Sequence, residues 1–412
     1  MLRNRKKLFF SAVDRKKKCW HSMAWIKREN LDRNKADRGI AMRVLILSCK
    51  TGGGHDAAGR AIAKELQEMG EEAFLFDYLT LAGHKVSDRV GGSYVELVKR
   101  VPHVFGLLYR LGAIVSRLMR KSPIYFANHF MAPYLERYLQ ENQFDAIVMP
   151  HLFPAETITY MKRKKMPLPL TVAVATDYTC IPFWGETECD YYVIPSERHR
   201  KSFTRGFIRA EQLLPFGIPV DPAFSHPKSK EEARKELGIR QDASVYLVVG
   251  GSMGAGQMKK FVKFLMRMKR EEDEVIVICG SNRRNQKELG HRYKEKEHIS
   301  ILGRTDHMPD YLQAVDVIFT KPGGLTSTEA AAAELPMVHT SPIPGCETVN
   351  RKYFGKLGMS VTGLESLSQA AAGVRLMEHP KQREQMQEKQ RKHIPKDAAY
   401  QICRFLKEKT GK

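Results

Sequence analysis

The stretch with the clearest chemistry is Thr320–Ala330, which reads Thr-Lys-Pro-Gly-Gly-Leu-Thr-Ser-Thr-Glu-Ala. An apolar run before it predicts a short buried strand, and an alanine-rich segment after the glycines predicts a helix. Backbone N–H groups at such a helix start bind anions, and glycines allow a phosphate to come close. Glu329, about one turn further on, can accept hydrogen bonds from ribose hydroxyl groups. The alternative interpretation is an ordinary β–α turn with a surface glutamate.

A second glycine turn, Thr51–His55, follows the apolar run Met42–Ser48. The pattern predicts a strand, a turn and a helix that begins at His55, so this histidine faces the carboxyl end of the strand, where ligands bind in parallel sheets. A neutral imidazole there can take a proton from an acceptor hydroxyl group, because the helix dipole disfavours the charged form. A capping or purely structural histidine is the alternative. Asp177 follows another predicted strand and can orient such a base, bind an acceptor or cap the next turn.

Strand and helix patterns alternate along most of the 412 residues, which predicts an α/β protein with doubly wound parallel sheets. A turn-rich stretch around residues 215–222 separates two β/α series. The predicted organisation is a basic N-terminal tail outside the fold (1–41), a first Rossmann-like domain (42–215), a second Rossmann-like domain (216–393) and a closing helix (394–412).

The composition is that of a soluble globular protein, with 42% apolar and 28% charged residues. No apolar run approaches the roughly 20 residues that span a bilayer, and the N-terminus lacks the apolar core of a secretory signal. The seven cysteines are scattered without a Cys-x-x-Cys pair. This pattern favours a reducing cytosol and predicts neither disulfides nor a metal site.

The net charge of +22 calls for an anionic partner, either nucleic acid or a membrane surface. Residues 1–41 contribute +9 of it. Apolar residues recur at helical spacing through 94–121, where Glu96 is the sole acid. The segment predicts an amphipathic helix on an anionic membrane, and a core-packed helix with a solvated basic face is the alternative. No nucleic-acid-binding module is recognisable. The basic residues that would meet the membrane are Arg110, Arg117, Arg120 and Lys121.

These motifs resemble the monogalactosyldiacylglycerol synthase and processive diacylglycerol glucosyltransferase family, over about Met42 to Gly358. The resemblance rests on Thr51–His55, Thr176-Asp177 with Trp184, Gly250–Gly254, Lys321–Ala330 and Pro344–Asn350. It implies the GT-B architecture, in which two Rossmann-like domains face each other across a cleft. It also implies an inverting transfer of a hexose from a UDP-sugar to a diacylglycerol-like lipid, with no obligatory metal or other cofactor.

The resemblance also assigns roles to residues. His55 and Asp177 would serve catalysis. The helix start at Gly323–Thr326 would hold the diphosphate, Glu329 the ribose, and Glu347 with Asn350 the sugar hydroxyl groups. The predicted donor residues are Gly251, Ser252, Met253, Gly254, Gly280, Asn282, Gly303, Arg304, Gly323, Gly324, Thr326, Glu329, Glu347 and Asn350. The predicted acceptor residues are Gly52, Gly53, Gly54 and Trp184.

The implied location is the cytoplasm, peripherally on the inner face of the cell membrane. Two departures from the family pattern leave the sugar and the acceptor open: Cys346 stands where glutamine is frequent, and Ile181 where many members have histidine. The alternative enzymes are a UDP-sugar epimerase of the same architecture and a transferase with a polyprenyl or soluble acceptor. A non-catalytic UDP-binding protein and a basic nucleic-acid-binding protein are the alternatives of another class.

Overall fold

A computed structural model describes residues 41–49, 53–89, 92, 102–119, 121–205, 208–250 and 258–412, without the side chains of 102–105 and 117. Several predicted features lie outside the described residues: Gly52, Gly251–Gly254, Arg120, the side chain of Arg117 and nearly all of the basic tail.

Two parallel six-stranded sheets form the framework, which confirms the predicted fold class. The first sheet has the strand order β2-β1-β3-β4-β5-β6. Its strands are β1 (Arg43–Ser48), β2 (Glu72–Asp77), β3 (Ala146–Met149), β4 (Leu170–Val174), β5 (Tyr191–Val193) and β6 (Leu213–Leu214).

The second sheet has the order β12-β11-β10-β7-β8-β9, so β7 and β10 form its centre. The strand order reverses between these two strands, and ligands bind at such switch points in doubly wound sheets. Its strands are β7 (Val245–Val249), β8 (Glu274–Ile278), β9 (Ile299–Leu302), β10 (Val317–Thr320), β11 (Met337–His339) and β12 (Val361–Thr362).

Helices cover both sheets, as parallel strands joined by crossover helices require. In the first half they are α1 (Gly53–Glu68), α2 (Pro102–Leu118), α3 (Pro123–His129), α4 (Ala132–Glu141), α5 (Leu152–Arg163) and α6 (Arg200–Thr204). In the second half they are α7 (Lys230–Leu237), α8 (Met258–Met268), α9 (Arg283–Arg292), α10 (Met308–Ala314), α11 (Gly324–Ala332), α12 (Cys346–Lys356), α13 (Ser366–Glu378), α14 (Pro380–His393) and α15 (Ala398–Thr410).

The central strands form because their sequences are continuous apolar runs. Strands buried on both faces need such runs instead of alternating patterns. Every residue of β7 and β10 is buried. The carboxyl ends of these strands therefore leave the core at fixed points, and the loops that follow are positioned by a rigid base.

Residues from both halves share one apolar cluster. Ala58 of α1 and Tyr178, which follows β4, pack in the same cluster as Leu325 of α11 and Phe354 of α12. The two halves are therefore in direct apolar contact. Among the described residues, no helix combines the length and apolar character needed to cross a membrane.

Candidate active site

His55 lies in the first turn of α1, beyond the carboxyl end of β1. Its Nδ1 is 2.7 Å from the carbonyl oxygen of Pro150 and 3.1 Å from Oγ1 of Thr176. Because a carbonyl oxygen can only accept a hydrogen bond, Nδ1 carries a hydrogen and donates a hydrogen bond to the carbonyl oxygen of Pro150. Nε2 is then the unprotonated nitrogen, with a lone pair that can accept a proton. The imidazole is thus held in the tautomer that a general base needs.

A second imidazole supports this orientation. The ring of His151 meets that of His55 edge-on, with 4.5 Å between the ring centroids. Burial, and secondly the neighbouring His55, holds the pKa of His151 well below its usual range. His151 therefore remains neutral and adds no positive charge beside the candidate base.

Asp177 connects the two halves of the molecule. Its Oδ1 accepts a hydrogen bond of 2.8 Å from Nδ2 of Asn350 on α12. The same amide nitrogen donates to the carbonyl oxygen of Pro322, and Oδ1 of Asn350 accepts from the backbone N–H of Tyr178. Asn350 is completely buried. Its amide is thus engaged on both sides by groups of the protein.

The anion-binding turn predicted from Thr320–Ala330 forms the start of α11. Gly323 is the N-cap residue, and Gly324 is the first residue of the helix. A Cβ on Gly324 would overlap the carbonyl oxygen of Thr176, so this glycine marks a close approach between the halves. Gly54 also faces α11, since a Cβ there would lie 3.7 Å from Cβ of Leu325. The structure therefore brings Gly54, just before His55, close to the start of α11, where Pro322–Gly324 form the predicted donor turn.

An ion pair that the sequence did not reveal lies beside this turn. Nζ of Lys321 is 3.1 Å from Oε1 of Glu347, and the two side chains are only 10% and 13% exposed. Oε2 of Glu347 accepts a further hydrogen bond from the backbone N–H of Ile343. A Cβ on Gly323 would lie 3.9 Å from Oε1 of Glu347. Glu347 thus lies beside the donor turn with its charge balanced by an ammonium group. The motif contained Lys321, but only the fold reveals its partner.

Glu329 lies in the middle of α11 and is half-buried. Burial, and secondly Asp221, raises the pKa of its carboxyl group to about 8, while Arg60 acts in the opposite direction. Asp221 is itself paired with Lys64 of α1 at 2.7 Å. The carboxyl group therefore lies near the junction of α1, α11 and the segment between the halves.

The remaining predicted residues are dispersed. Gly280 adopts a φ of +59° two residues after β8, and the side chain of Asn282 caps α9 by accepting a hydrogen bond from the backbone N–H of Asn285. Gly303 and the exposed Arg304 follow β9. These four residues lie beyond strands at one edge of the second sheet. Thr326 lies in the first turn of α11 and is half-buried.

Trp184 is buried in the apolar core of the first half, where it packs edge-on against Tyr192. At 4% exposure, its side chain belongs to the core and is not presented at the surface. Ile181 is half-buried against the same core.

Cys346 begins α12 and lies between two carboxylates. Burial, followed by the nearby Asp177 and Glu347, raises the pKa of its thiol well above its usual value. The group is thus a neutral thiol at the position where the resemblance led us to expect glutamine. A neutral weak donor beside Asp177 is compatible with the closely packed contact between the halves.

Helix α2 lies over the candidate site from the first half. A Cβ on Gly106 would lie 2.7 Å from Cβ of Pro344, and one on Gly345 would lie 3.1 Å from the ring of Tyr109. Further along, Oγ of Ser116 accepts a hydrogen bond from the backbone N–H of Phe183. One face of α2 thus contacts a loop of the first half, at Phe183, and a loop of the second half, at Pro344–Gly345. The opposite face exposes the large apolar side chains of Leu107, Leu108, Leu111, Ile114 and Leu118.

A small cavity, partly open to solvent, lies at the carboxyl ends of the central strands of the second sheet. Polar side chains from three segments line it, and sequence reasoning had not assigned them a role: Lys321, Ser341, and Ser366 with Gln369 of α13. Nothing in the sequence indicated a role for Ser366 and Gln369, because the segment from β12 to the start of α13 contains no recognisable motif. Within the described residues, no group of three or more histidine, cysteine or carboxylate side chains is placed to hold a metal ion.

Comparison with known proteins relates the chain to glycosyltransferases. The family model for monogalactosyldiacylglycerol (MGDG) synthase matches residues 55–220, and that for glycosyl transferases group 1 matches residues 229–393. A processive diacylglycerol beta-glucosyltransferase of Bacillus cereus is 25% identical over 331 residues, which cover 77% of this chain and 81% of the relative.

Solved structures share the fold at low sequence identity. MurG of Acinetobacter baumannii has a TM-score of 0.57 at 15% identity, covering 89% of this chain and 100% of that chain. A complex of S. aureus MnaA with UDP has a TM-score of 0.61 at 11% identity, covering 90% and 97%. With the two parallel sheets, these matches show that the chain is a hexosyltransferase with the GT-B fold, whose residues 55–220 match the monogalactosyldiacylglycerol synthase family and whose residues 229–393 match glycosyl transferases group 1.

Proposed function

We propose that the protein transfers a hexose from a UDP-sugar to the hydroxyl group of a diacylglycerol-type lipid, with inversion at the anomeric carbon. The observation that carries this proposal is the position of His55. Thr176 contacts the imidazole through its side chain and the start of α11 through its backbone. A general base and an anion-binding helix start therefore meet at one junction, and a single displacement requires both.

In the proposed reaction the acceptor oxygen attacks the anomeric carbon while the bond from that carbon to the diphosphate oxygen breaks. Nε2 of His55 takes the hydroxyl proton, and UDP leaves with the bonding electrons. The backbone N–H groups at the start of α11 and the helix dipole stabilise the charge that develops on the diphosphate. This arrangement supplies the electrostatic stabilisation without a resident metal or cofactor.

The choice of donor and acceptor draws on the relatives. The Bacillus cereus relative is named for the glucosylation of diacylglycerol, and S. aureus MnaA was solved with UDP. In this chain, Glu329 is our candidate for the ribose hydroxyl groups. Glu347 is our candidate for the sugar, because its charge is already balanced by Lys321.

We further propose that the reaction takes place on the inner face of the cell membrane, with α2 as the contact. Burying five exposed apolar side chains favours insertion at the interface, and the exposed Arg110 and Lys121 add attraction to anionic lipids. The opposite face of α2 contacts the loop at Pro182–Phe183 and the loop at Pro344–Gly345. A lipid that leaves the bilayer along α2 therefore arrives beside the catalytic junction.

Purified protein is mixed with anionic vesicles that contain or lack diacylglycerol, and with UDP-glucose, UDP-galactose or UDP-N-acetylglucosamine. The release of UDP and the formation of glycolipid are both followed. We expect one donor to give UDP release that requires diacylglycerol and matches the lipid product. Release without diacylglycerol would instead indicate hydrolysis, epimerisation or a soluble acceptor. If the protein binds added UDP but releases no UDP from any of the three UDP-sugars, the transferase proposal is contradicted.

A further inference from the structure

We propose that Asn350 is a positioning residue that joins the two halves of the enzyme, in place of a ligand of the transferred sugar. Both sides of its amide are used: Oδ1 accepts from Tyr178 N at 2.9 Å, and Nδ2 donates to Asp177 Oδ1 at 2.8 Å and to Pro322 O at 3.0 Å. Two of these partners belong to the first half and one to the donor turn. A completely buried amide with its donors satisfied has little capacity left for a sugar hydroxyl group.

Tyr178 provides a second connection beside the first. Its ring stacks on Tyr353 at 4.7 Å between centroids and meets Phe354 edge-on at 4.9 Å. Its hydroxyl group is 2.7 Å from Oγ1 of Thr328, which itself donates to the carbonyl oxygen of Gly324. Because the proton of Thr328 is already used, Tyr178 is the donor. One residue of the first half therefore contacts both α11 and α12.

The close approach at Gly324 shows how little space separates the halves in this arrangement. A side chain at Gly324 would overlap the backbone of Thr176 and come within 3.1 Å of Cα of Asp177. The neighbouring Gly323 has no such restriction, since the nearest atom to its Cβ would be 3.9 Å away. The close approach to Thr176 and Asp177 is thus specific to Gly324. Gly323 therefore serves as a matched control for a substitution at Gly324.

The consequence concerns the distance between the base and the leaving group. Asn350 holds Asp177 and Tyr178, and the adjacent Thr176 contacts His55. The same amide holds Pro322, one residue before the glycines that would bind diphosphate. One side chain therefore fixes the acceptor side and the donor side relative to each other. Misplacement by about 1 Å at such a junction is expected to lower turnover on the order of a hundredfold.

The test compares Asn350→Ala and Asn350→Asp with Val349→Ala, a change at the preceding residue of α12, whose side chain is 40% exposed. Hydrogen exchange at the amide of Tyr178 reports the junction directly, because Asn350 is its partner. We expect this exchange to accelerate by about tenfold or more in both Asn350 variants, with exchange in β7 unchanged. The aspartate should have the larger effect, because its carboxylate faces Asp177.

Binding and kinetics separate positioning from sugar recognition. We expect kcat to fall in both Asn350 variants, while the Kd values for UDP and for the UDP-sugar change by less than about threefold. Unchanged exchange at Tyr178, with weaker binding of the UDP-sugar but not of UDP, would overturn the proposal in favour of a sugar contact.

Smaller changes protect the test against a variant that fails to fold. Tyr178→Phe removes one hydroxyl group, and Gly324→Ala should accelerate exchange in the 175–178 segment while Gly323→Ala does not. Equal exchange in the two glycine variants would show that the halves do not approach each other as described, and would overturn the proposal.

The measurement of kcat rests on the proposed function, whereas hydrogen exchange and UDP binding can be measured without turnover. A wild-type protein that is inactive with every lipid would therefore count against the proposed function alone. The positioning role would then be decided by the exchange data.

Discussion

The hydrogen bond from His55 to Pro150 determines which imidazole nitrogen can act as a base. We expect His55→Ala to lower the transfer rate by about 10²- to 10⁴-fold, the usual contribution of a general base. The Kd for UDP should change little, because UDP is expected to bind the other half of the molecule. Transfer assays and calorimetry measure the two quantities. His84→Ala, at an exposed histidine in the same half, should behave as wild type. Full activity of the His55 variant would remove the base assignment.

The carboxyl group of Glu329 should make donor binding dependent on pH. Its pKa of about 8 leaves it mostly protonated at pH 7 and ionised at pH 9. Because an ionised carboxylate accepts stronger hydrogen bonds, we expect the affinity for UDP to rise over this interval relative to that of Glu329→Gln. Calorimetry at both pH values measures the difference. Parallel pH profiles would exclude the ribose role.

The raised pKa of Glu329 also affects stability. It makes the free energy of unfolding fall with rising pH, whereas a carboxylate in an ion pair makes it rise. The native pKa of Glu329 exceeds its ordinary value of 4.5, so between these values the native state binds more protons than the unfolded state. This residue therefore lowers the free energy of unfolding as pH rises from about 4.5 to 8. Chemical denaturation of wild type and Glu329→Gln should converge at acidic pH and separate at pH 8, with the glutamine variant more stable.

Single residues also show where sequence reasoning ends. The chemistry of His55 and of the glycine turns was predictable because strand, turn and helix are local patterns. The burial of Asn350 and the pairing of Lys321 with Glu347 were not, because each depends on contacts between distant segments. An asparagine in a motif looks the same in sequence whether it binds a ligand or joins two halves.

Among the elements, α2 has the most unusual surface. We expect Leu118→Glu to weaken binding to anionic vesicles by about tenfold or more, since one buried leucine contributes about 1.5–3 kcal/mol and the new charge repels the lipids. Leu118 is 80% exposed, so folding should be unaffected. Leu364→Glu, at a leucine 96% exposed in the second half, is the matched control. Vesicle sedimentation measures both, and equal binding would contradict the membrane role of α2.

Strong elements were predictable from the sequence and weak ones were not. The apolar run Met42–Ser48 predicts a strand, and β1 (Arg43–Ser48) agrees with it within one residue. The edge strands β6 and β12 contain only two residues each, so they have no periodicity and form only because a neighbouring strand is already in place. The helical pattern of 94–121 was visible, but its contact with the Pro344–Gly345 loop was not.

For the whole molecule, the excess positive charge is expected to act on membrane affinity and leave the chemistry unchanged. Removing residues 1–41 takes away +9 of the +22 net charge. We expect kcat to be retained with detergent-dispersed acceptor, while binding to anionic vesicles weakens most at low salt. Vesicle binding over a salt series and a parallel activity assay test this. A loss of turnover in detergent would show that the segment belongs to the fold.

The C-terminal helix α15 follows the second half in sequence but packs against the first sheet. Its Ile402, Cys403 and Leu406 pack in the apolar cluster that contains β1 and β3. Lys407 is paired at 2.6 Å with Glu71, which itself accepts from the backbone of Met42 at the start of β1.

During synthesis, the part of the first sheet that packs on α15 therefore stays uncovered until residues 398–410 have been made, although α1 already covers the rest of that face. The whole second half is made in between. A ribosome that stops short of residue 398 would release a chain with this apolar part of the sheet open to solvent, and such incomplete chains are expected to be selective targets for chaperones and proteases.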